Sequence, residues 1–437
     1  MKTRFLCFLI CSILLFTSAV AGPRDSEWQE VERATQQGLP QTAIAGLELI
    51  FAAALREQAY PEAIKAIGRK IALEAEIQGG QPEESIVRMQ AELEKAPAAM
   101  KPVMETILAH WYWQYFQQNR GRFFQRTQTA VAPGEDLQTW DLARILAEID
   151  RHFTAALADE ATLKKTPIGD YDELLEKGSA PDVYRPTLFD FIAYEALEFY
   201  QAGEQAARAA EDAFEIEAGS PIFADATEFV KWTPASTQPS DAFSPKLNAI
   251  TLYQSLMRFH EADKDRSAFH DADLARLVYG DNVAVGENKD ERYQQALEGF
   301  IERTARHEIS ARARALLASR IHDEGEPAKA REVAQRGLNA FPKSVGGAQC
   351  FNLIQQIEAP SARLETEQVW NAPWPTLDVA YRNVTKVYFR AFPANFEEQL
   401  LRSRWGYGGV DHEHLQQLLG TTPALAWEAD LPMPPLR

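Results

Sequence analysis

The 437-residue chain predicts a mostly α-helical protein, an array of helical hairpins followed by a short β segment. Three observations carry that reading. From Trp28 to about Ile357, Ala, Leu, Glu, Gln and Arg dominate, and Gly or Pro stands at the breaks, which is a high helix propensity interrupted at intervals. Strand-like alternation is nearly absent over the same span. Around Ala359 to Pro375 the composition changes, with Pro360, Pro373 and Pro375 gathered about two tryptophans, and beyond it the apolar period becomes two. With 46% hydrophobic and 25% charged residues, the composition is that of a folded protein with a core.

Residues 1–21 read as a secretory signal peptide. Lys2 and Arg4 precede the apolar run Phe5 to Phe16, and Ala19-Val20-Ala21 offers a small-residue exit before Gly22-Pro23. The run is shorter than the ~20 residues a spanning helix needs, so no transmembrane segment is expected after cleavage. Neither Cys7 nor Cys11 stands where lipidation needs it. Cleavage after Ala21 would leave Cys350 as the sole cysteine, an exported chain without internal disulfides. The expected location is periplasm, cell envelope or extracellular space.

Residues 22–358 read as a helical, repeat-like domain. Pro40 opens a helix with Ile44, Leu47, Ile50 and Phe51 on one stripe, and Tyr60-Pro61 restarts the pattern with Ile64, Ile67 and Ile71. Leu188, Phe191, Ile192, Ala196 and Phe199 share a face behind Thr187, a plausible N-cap. Lys231 to Pro245 and Asp281 to Asp290 read as loops. The clearest repeat is Ser310 to Pro342. Leu317, Ala318 and Ile321, the turn Asp323 to Glu326, then Ala330, Ala334, Gly337 and Pro342 resemble one tetratricopeptide unit, in which small residues let two antiparallel helices approach. Ser344 to Ile357 would follow as the next helix.

Residues 359–375 read as a linker and 376–437 as a β domain. Leu377, Val379 and Tyr381 alternate with polar or small residues, as do Val387, Phe389 and Ala391, and Arg382-Asn383 is expected to turn between the two strands. About 60 residues fall short of the ~100 of a β-sandwich, so this domain reads as truncated.

The chemistry-bearing constellations are weak. His412-Glu413-His414 lacks a third ligand, and on a helix its two histidines diverge by about 200°; a solvated loop or helix start is expected. Asp263-Lys264-Asp265 opens like a calcium loop but places Ala268 and Leu274 where Gly and Glu belong, so Asp263 to Asp273 reads as an acidic helix connection. Gly406-Tyr407-Gly408-Gly409 has no Lys-Ser or Lys-Thr after it. Cys350, beside Phe351 and Ile354, reads as a buried structural thiol. Trp111, Tyr112, Trp113, Tyr115 and Phe116 read as helix core, with a sugar- or peptide-binding surface as the alternative. No acid, base and nucleophile converge, so no catalytic, cofactor-binding or metal-binding residue is assigned and an enzyme is not expected. With 63 acidic against 45 basic residues, a net charge of -18 disfavours nucleic acid as a partner.

Several motifs together are similar to the amino-terminal region of large bacterial α2-macroglobulin family proteins. They are Trp28 with Gly38-Leu39-Pro40; Asn119-Arg120-Gly121-Arg122-Phe123 with Arg126-Thr127; Arg185-Pro186-Thr187-Leu188-Phe189-Asp190-Phe191; Phe341-Pro342-Lys343-Ser344; and Tyr381-Arg382-Asn383-Val384 leading into Val387-Tyr388-Phe389-Arg390. The resemblance implies an exported helical domain followed by a macroglobulin-like β-sandwich, here partial, of a longer protease inhibitor. That family traps proteases through a bait segment and, in many members, a Cys-Gly-Glu-Gln thioester. Cys350-Phe351-Asn352-Leu353 does not match that pattern, so no thioester residue is assigned, and the chain alone is not expected to inhibit. Proteases are then the expected partners of the larger protein. The competing expectation is a stand-alone tetratricopeptide-like scaffold that binds a peptide or an envelope protein.

Overall fold

The computed structural model describes residues 4–6, 24–125, 136–178, 181–202, 214–235, 244–366, 376–393 and 412–432. Among them are seventeen α-helices and six short strands, a mostly helical protein with only small β elements. The chain divides into two compact units, Met1–Ile309 and Ser310–Arg437. Apart from Arg4–Leu6 (β1), which pairs antiparallel with Leu175–Lys177 (β2), the leader segment 1–21 lies outside the described residues. No helix among the described residues is long and apolar enough to cross a membrane.

The first unit opens with α1 (Asp25–Gln36), α2 (Pro40–Arg56), α3 (Tyr60–Ile77), α4 (Pro82–Lys95) and α5 (Lys101–Gln118). Proline occupies one of the first two positions of α2, α3, α4 and α5, where its missing N–H has no helical acceptor to lose and its fixed φ suits the helix. The α1–α2 turn passes through Gly38 with φ 69°, a left-handed conformation that glycine adopts without a Cβ penalty. Ile44, Leu47 and Ile50 bury the stripe of α2 against Val31 and Ala34 of α1 and Ala66 and Leu73 of α3, with Trp28 and Phe51 at the margin. A fully buried Leu or Ile contributes about 1.5–3 kcal/mol, so this apolar spacing holds the first three helices together.

Next come α6 (Arg120–Gln125), α7 (Leu142–Ala156), α8 (Glu160–Leu163), α9 (Leu188–Tyr200), α10 (Ala226–Lys231), α11 (Pro245–His260), α12 (Ser267–Val283) and α13 (Lys289–Arg303). Thr187 caps α9 in a full capping box with Asp190, and twelve of the thirteen residues of that helix are buried. Asp263 to Asp273, expected as one acidic connection, is corrected: α12 begins at Ser267, and Asp271 and Asp273 are buried in it. Their charges are tolerated because guanidinium groups meet them. Arg185 Nε lies 3.5 Å from Asp271 Oδ2, and fully buried Arg276 donates to Asp273 Oδ1 at 2.8 Å. Arg276 also donates to the carbonyls of Ile222 and Ala224, both at 2.6 Å, and so staples the segment before α10 to α12.

The second unit contains α14 (Ile309–Asp323, from Ser310 onward), α15 (Pro327–Ala340) and α16 (Val345–Glu358), then the strands β3 (Ser361–Thr366), β4 (Leu377–Arg382), β5 (Lys386–Ala391) and β6 (Leu425–Asp430), with α17 (His412–Leu419) between the last two. Ala315, Ala318, Ala334, Cys350 and Ile354 form its helical core. The small residues set the spacing: a Cβ on Gly337 would stand 2.6 Å from Cys350 Sγ.

Two details differ from the sequence reading. Ser361–Thr366 lies inside the segment read as linker, yet it is a strand paired with Leu377–Arg382. The strands on either side of Arg382-Asn383 do not form a hairpin: β4 pairs with β3, and β5 pairs with β6. Asn383 does turn, with φ 55°, but its side-chain amide donates to the Ile357 carbonyl at 2.8 Å. The turn therefore ties the strands to the end of α16 instead of folding them onto each other.

Candidate functional site

A groove of about 650 Å³ opens in the first unit across α1, α3 and α5. One face of α3 is its floor. Gly68, Ala72 and Ala75 recur at single-turn spacing there, flanked by Lys65, Arg69 and Glu76. Because residues three and four apart share a helix face, this run of small side chains leaves a trough where longer ones would fill it. Trp28 and Glu32 of α1 line one side, Trp111, Gln114, Tyr115 and Gln118 of α5 another, and the first turn of α4 with Glu173 and Leu174 completes the lining. The α1 and α5 residues again follow helical spacing, so three first-of-hairpin helices each turn one face into the same recess.

The aromatic run in α5 is divided by this geometry. Tyr112, Tyr115 and Phe116 are buried, as expected of core, whereas Trp111 and Trp113 are half-buried and Trp111 lines the groove. Tyr115 belongs to both environments. Its hydroxyl donates to Glu83 at 2.8 Å and accepts from Arg122 at 2.6 Å, which fixes the ring at the edge of the recess; burial raises its pKa.

At α1 the groove rests on a compact ionic network. Buried Arg24 donates through Nε to Glu62 at 2.9 Å and through Nη1 to Glu57 at 2.5 Å, and the Trp28 indole N–H donates to the other Glu62 oxygen at 2.9 Å. Burial alone would raise the Glu62 pKa, but Arg24 and Trp28 outweigh it and hold the carboxyl below its usual range. Lys65 Nζ lies 4.6 Å from the centre of the Trp28 ring, and Arg69 pairs with Glu32 at 3.2 Å. Trp28 is thereby fixed on its edge and on one face, a preorganised wall.

The remaining constellations have other roles. His412 is exposed and opens α17. Asp263 accepts from His260 Nδ1 at 2.6 Å, and Asp265 accepts from the Ser267 backbone at 2.9 Å. No group of three or more His, Cys, Asp or Glu side chains suited to a metal ion occurs among the described residues. Gly406 to Gly409 lies outside the described residues. Cys350 is fully buried, its thiol donates to the Ala311 carbonyl at 3.3 Å, and burial pushes its pKa up to about 11, which suppresses the nucleophilic thiolate.

Two histidine clusters were not legible in the sequence. Ser267 Oγ lies 3.0 Å from His307 Nε2. His260 is held between two carboxylates, with Nε2 2.7 Å from Asp190 and Nδ1 2.6 Å from Asp263. Burial opposes its protonation, yet the paired carboxylates raise its pKa. Both nitrogens must donate to satisfy that geometry, so the imidazolium form is the one that fits.

No protein-family model matches the chain, and no curated protein matches it.

Proposed function

We propose that the first unit is a peptide-binding scaffold whose site is the groove across α1, α3 and α5. The observation that carries this reading is the lining itself: faces of three successive hairpins converge on one trough, with a floor of Gly68, Ala72 and Ala75 between indoles of α1 and α5. Stacked tetratricopeptide-like hairpins would expose their first helices in this way. Gln114 and Gln118 offer amide donors and acceptors to a peptide backbone, and the indoles offer apolar area with little conformational entropy to lose. The leader-like residues 1–21 support an exported setting, so the partner would be a periplasmic, envelope or extracellular polypeptide.

An array of randomised extended peptides, probed with the full chain and with an Ala72→Trp variant that fills the trough, tests this. Binding of a defined subset by the unaltered chain and its loss in the variant are expected. No binding, or binding that survives Ala72→Trp, would overturn the reading.

A second reading is a module of an exported α2-macroglobulin-like protease inhibitor. One observation favours it beyond the resemblance. The paired strands leave apolar side chains uncovered, with Leu364 50%, Leu425 56% and Trp427 40% exposed, and in a macroglobulin-like sandwich a facing sheet covers such a surface. The reading frame downstream of Arg437 decides it: further sandwich-type strand repeats support the module, and an immediate stop codon overturns it.

A further inference from the structure

We propose that the groove takes an extended peptide segment carrying a lysine or arginine side chain next to an apolar one. This rests on the peptide-scaffold reading and names its partner's chemistry. The charges around the groove are unequally matched. Arg24 pairs with both Glu57 and Glu62, Arg69 pairs with Glu32, and Lys65 lies over the Trp28 ring. Glu76 and Glu173 also line the groove, and no ion pair or side-chain hydrogen bond engages either among the described residues. With them, the three cations Arg24, Lys65 and Arg69 face the five carboxylates Glu32, Glu57, Glu62, Glu76 and Glu173, so the balance of the site is negative.

The position of Glu76 strengthens the point. It falls in the last turn of α3, which has no basic residue there, at the negative end of the helix dipole where a carboxylate is disfavoured and a cation favoured. Its neighbour Glu74 is relieved by Arg88 at 2.5 Å, but Glu76 has no such cation. An incoming ammonium or guanidinium supplies it, while the adjacent apolar side chain lies along Gly68, Ala72 and Ala75 beside Trp111. The chain's net charge of -18 steers the same class of ligand toward it.

The test is fluorescence polarisation of the full chain with three labelled peptides that share one apolar core and carry Lys and Arg, Gln, or Glu around it. The basic peptide is expected to bind about tenfold more tightly than the neutral one, with the advantage shrinking as salt rises. In the double variant Glu76→Gln, Glu173→Gln, both exposed sites, the basic peptide is expected to lose its advantage and bind no more tightly than the neutral one. Glu76→Gln alone is also expected to raise the melting temperature of the unliganded chain, a gain in stability alongside a loss of binding. Equal affinities for the three peptides, an advantage insensitive to salt, or an advantage that survives the double substitution would overturn the basic-peptide assignment and leave the scaffold reading standing. Failure of all three peptides, or binding that persists in Ala72→Trp, would overturn the scaffold reading itself.

Discussion

Ser267 accepts a hydrogen bond from His307 and cannot lose its proton to it. The Ile309 backbone N–H donates to His307 Nδ1 at 3.2 Å, so the ring proton resides on Nε2, the nitrogen 3.0 Å from Ser267 Oγ. The hydroxyl proton goes to Asp265, and with the Ser267 backbone N–H it holds that carboxyl below the usual range. A serine nucleophile needs the opposite tautomer, with an unprotonated nitrogen facing the hydroxyl. The pair therefore belongs to the junction between α12 and the residues after α13. A fluorophosphonate probe is expected to leave Ser267 unlabelled in the folded chain, as read by peptide mass spectrometry; stoichiometric labelling there would contradict this tautomer.

Two histidines set opposite limbs of the stability profile. An unfolded histidine titrates near ~6.5, whereas burial, with the Arg266 charge adding to it, lowers His270 to about 4. The unfolded chain thus binds more protons at this site below ~6.5, and stability falls as pH drops from there toward 4. His260 has the reverse sign: its raised pKa gives stability that is complete below ~6.5 and lost as pH rises through the folded-state value. Melting temperature against pH checks both. His270→Asn is expected to flatten the acid limb. His260→Ala is expected to flatten the alkaline limb and to cost about 3 kcal/mol at neutral pH, because Asp190 is left buried without its cation. Unchanged limbs in both variants would contradict the assignments.

The α15–α16 contact depends on one missing methyl group. A Cβ at Gly337 would meet Cys350 Sγ at 2.6 Å and Arg314 Cβ at 3.3 Å, so Gly337→Ala is expected to destabilise the second unit by about 1–3 kcal/mol. Cys350→Ala removes the obstructing sulfur. The double variant is expected to recover part of the loss, a coupling that a double-mutant cycle in urea would measure. Strict additivity would show that the two positions do not touch.

Much of this fold was legible because its causes are local. The stripes Ile44, Leu47, Ile50 and Ile64, Ile67, Ile71, the starts at Pro40 and Pro61, and the Thr187 cap each act within a few turns of chain, so spacing reveals them. The acidic run before Asp273 was misread because the partner that buries Asp271, Arg185, is 86 residues away and leaves no local trace. Strand Ser361–Thr366 was hidden for a similar reason: it is exposed along its length, offers only Ala362 and Leu364 as alternating apolar residues and follows Pro360, so its pairing with β4 is what defines it. The groove was half legible. Trp111 and Tyr115 stood out as aromatic, but Gly68, Ala72, Ala75 and Glu76 gain meaning only when α1 and α5 are placed beside α3.

The most direct measurement is photo-crosslinking of a basic, apolar-cored peptide carrying a benzophenone side chain to the full chain, with the attachment sites read by mass spectrometry. Crosslinks at Trp28, Ala72 to Glu76 and Trp111 to Gln118 are predicted, suppressed by an excess of unlabelled peptide. Saturable crosslinks confined to α13 or to the second unit, with none on α1, α3 or α5, would contradict the groove as the binding site.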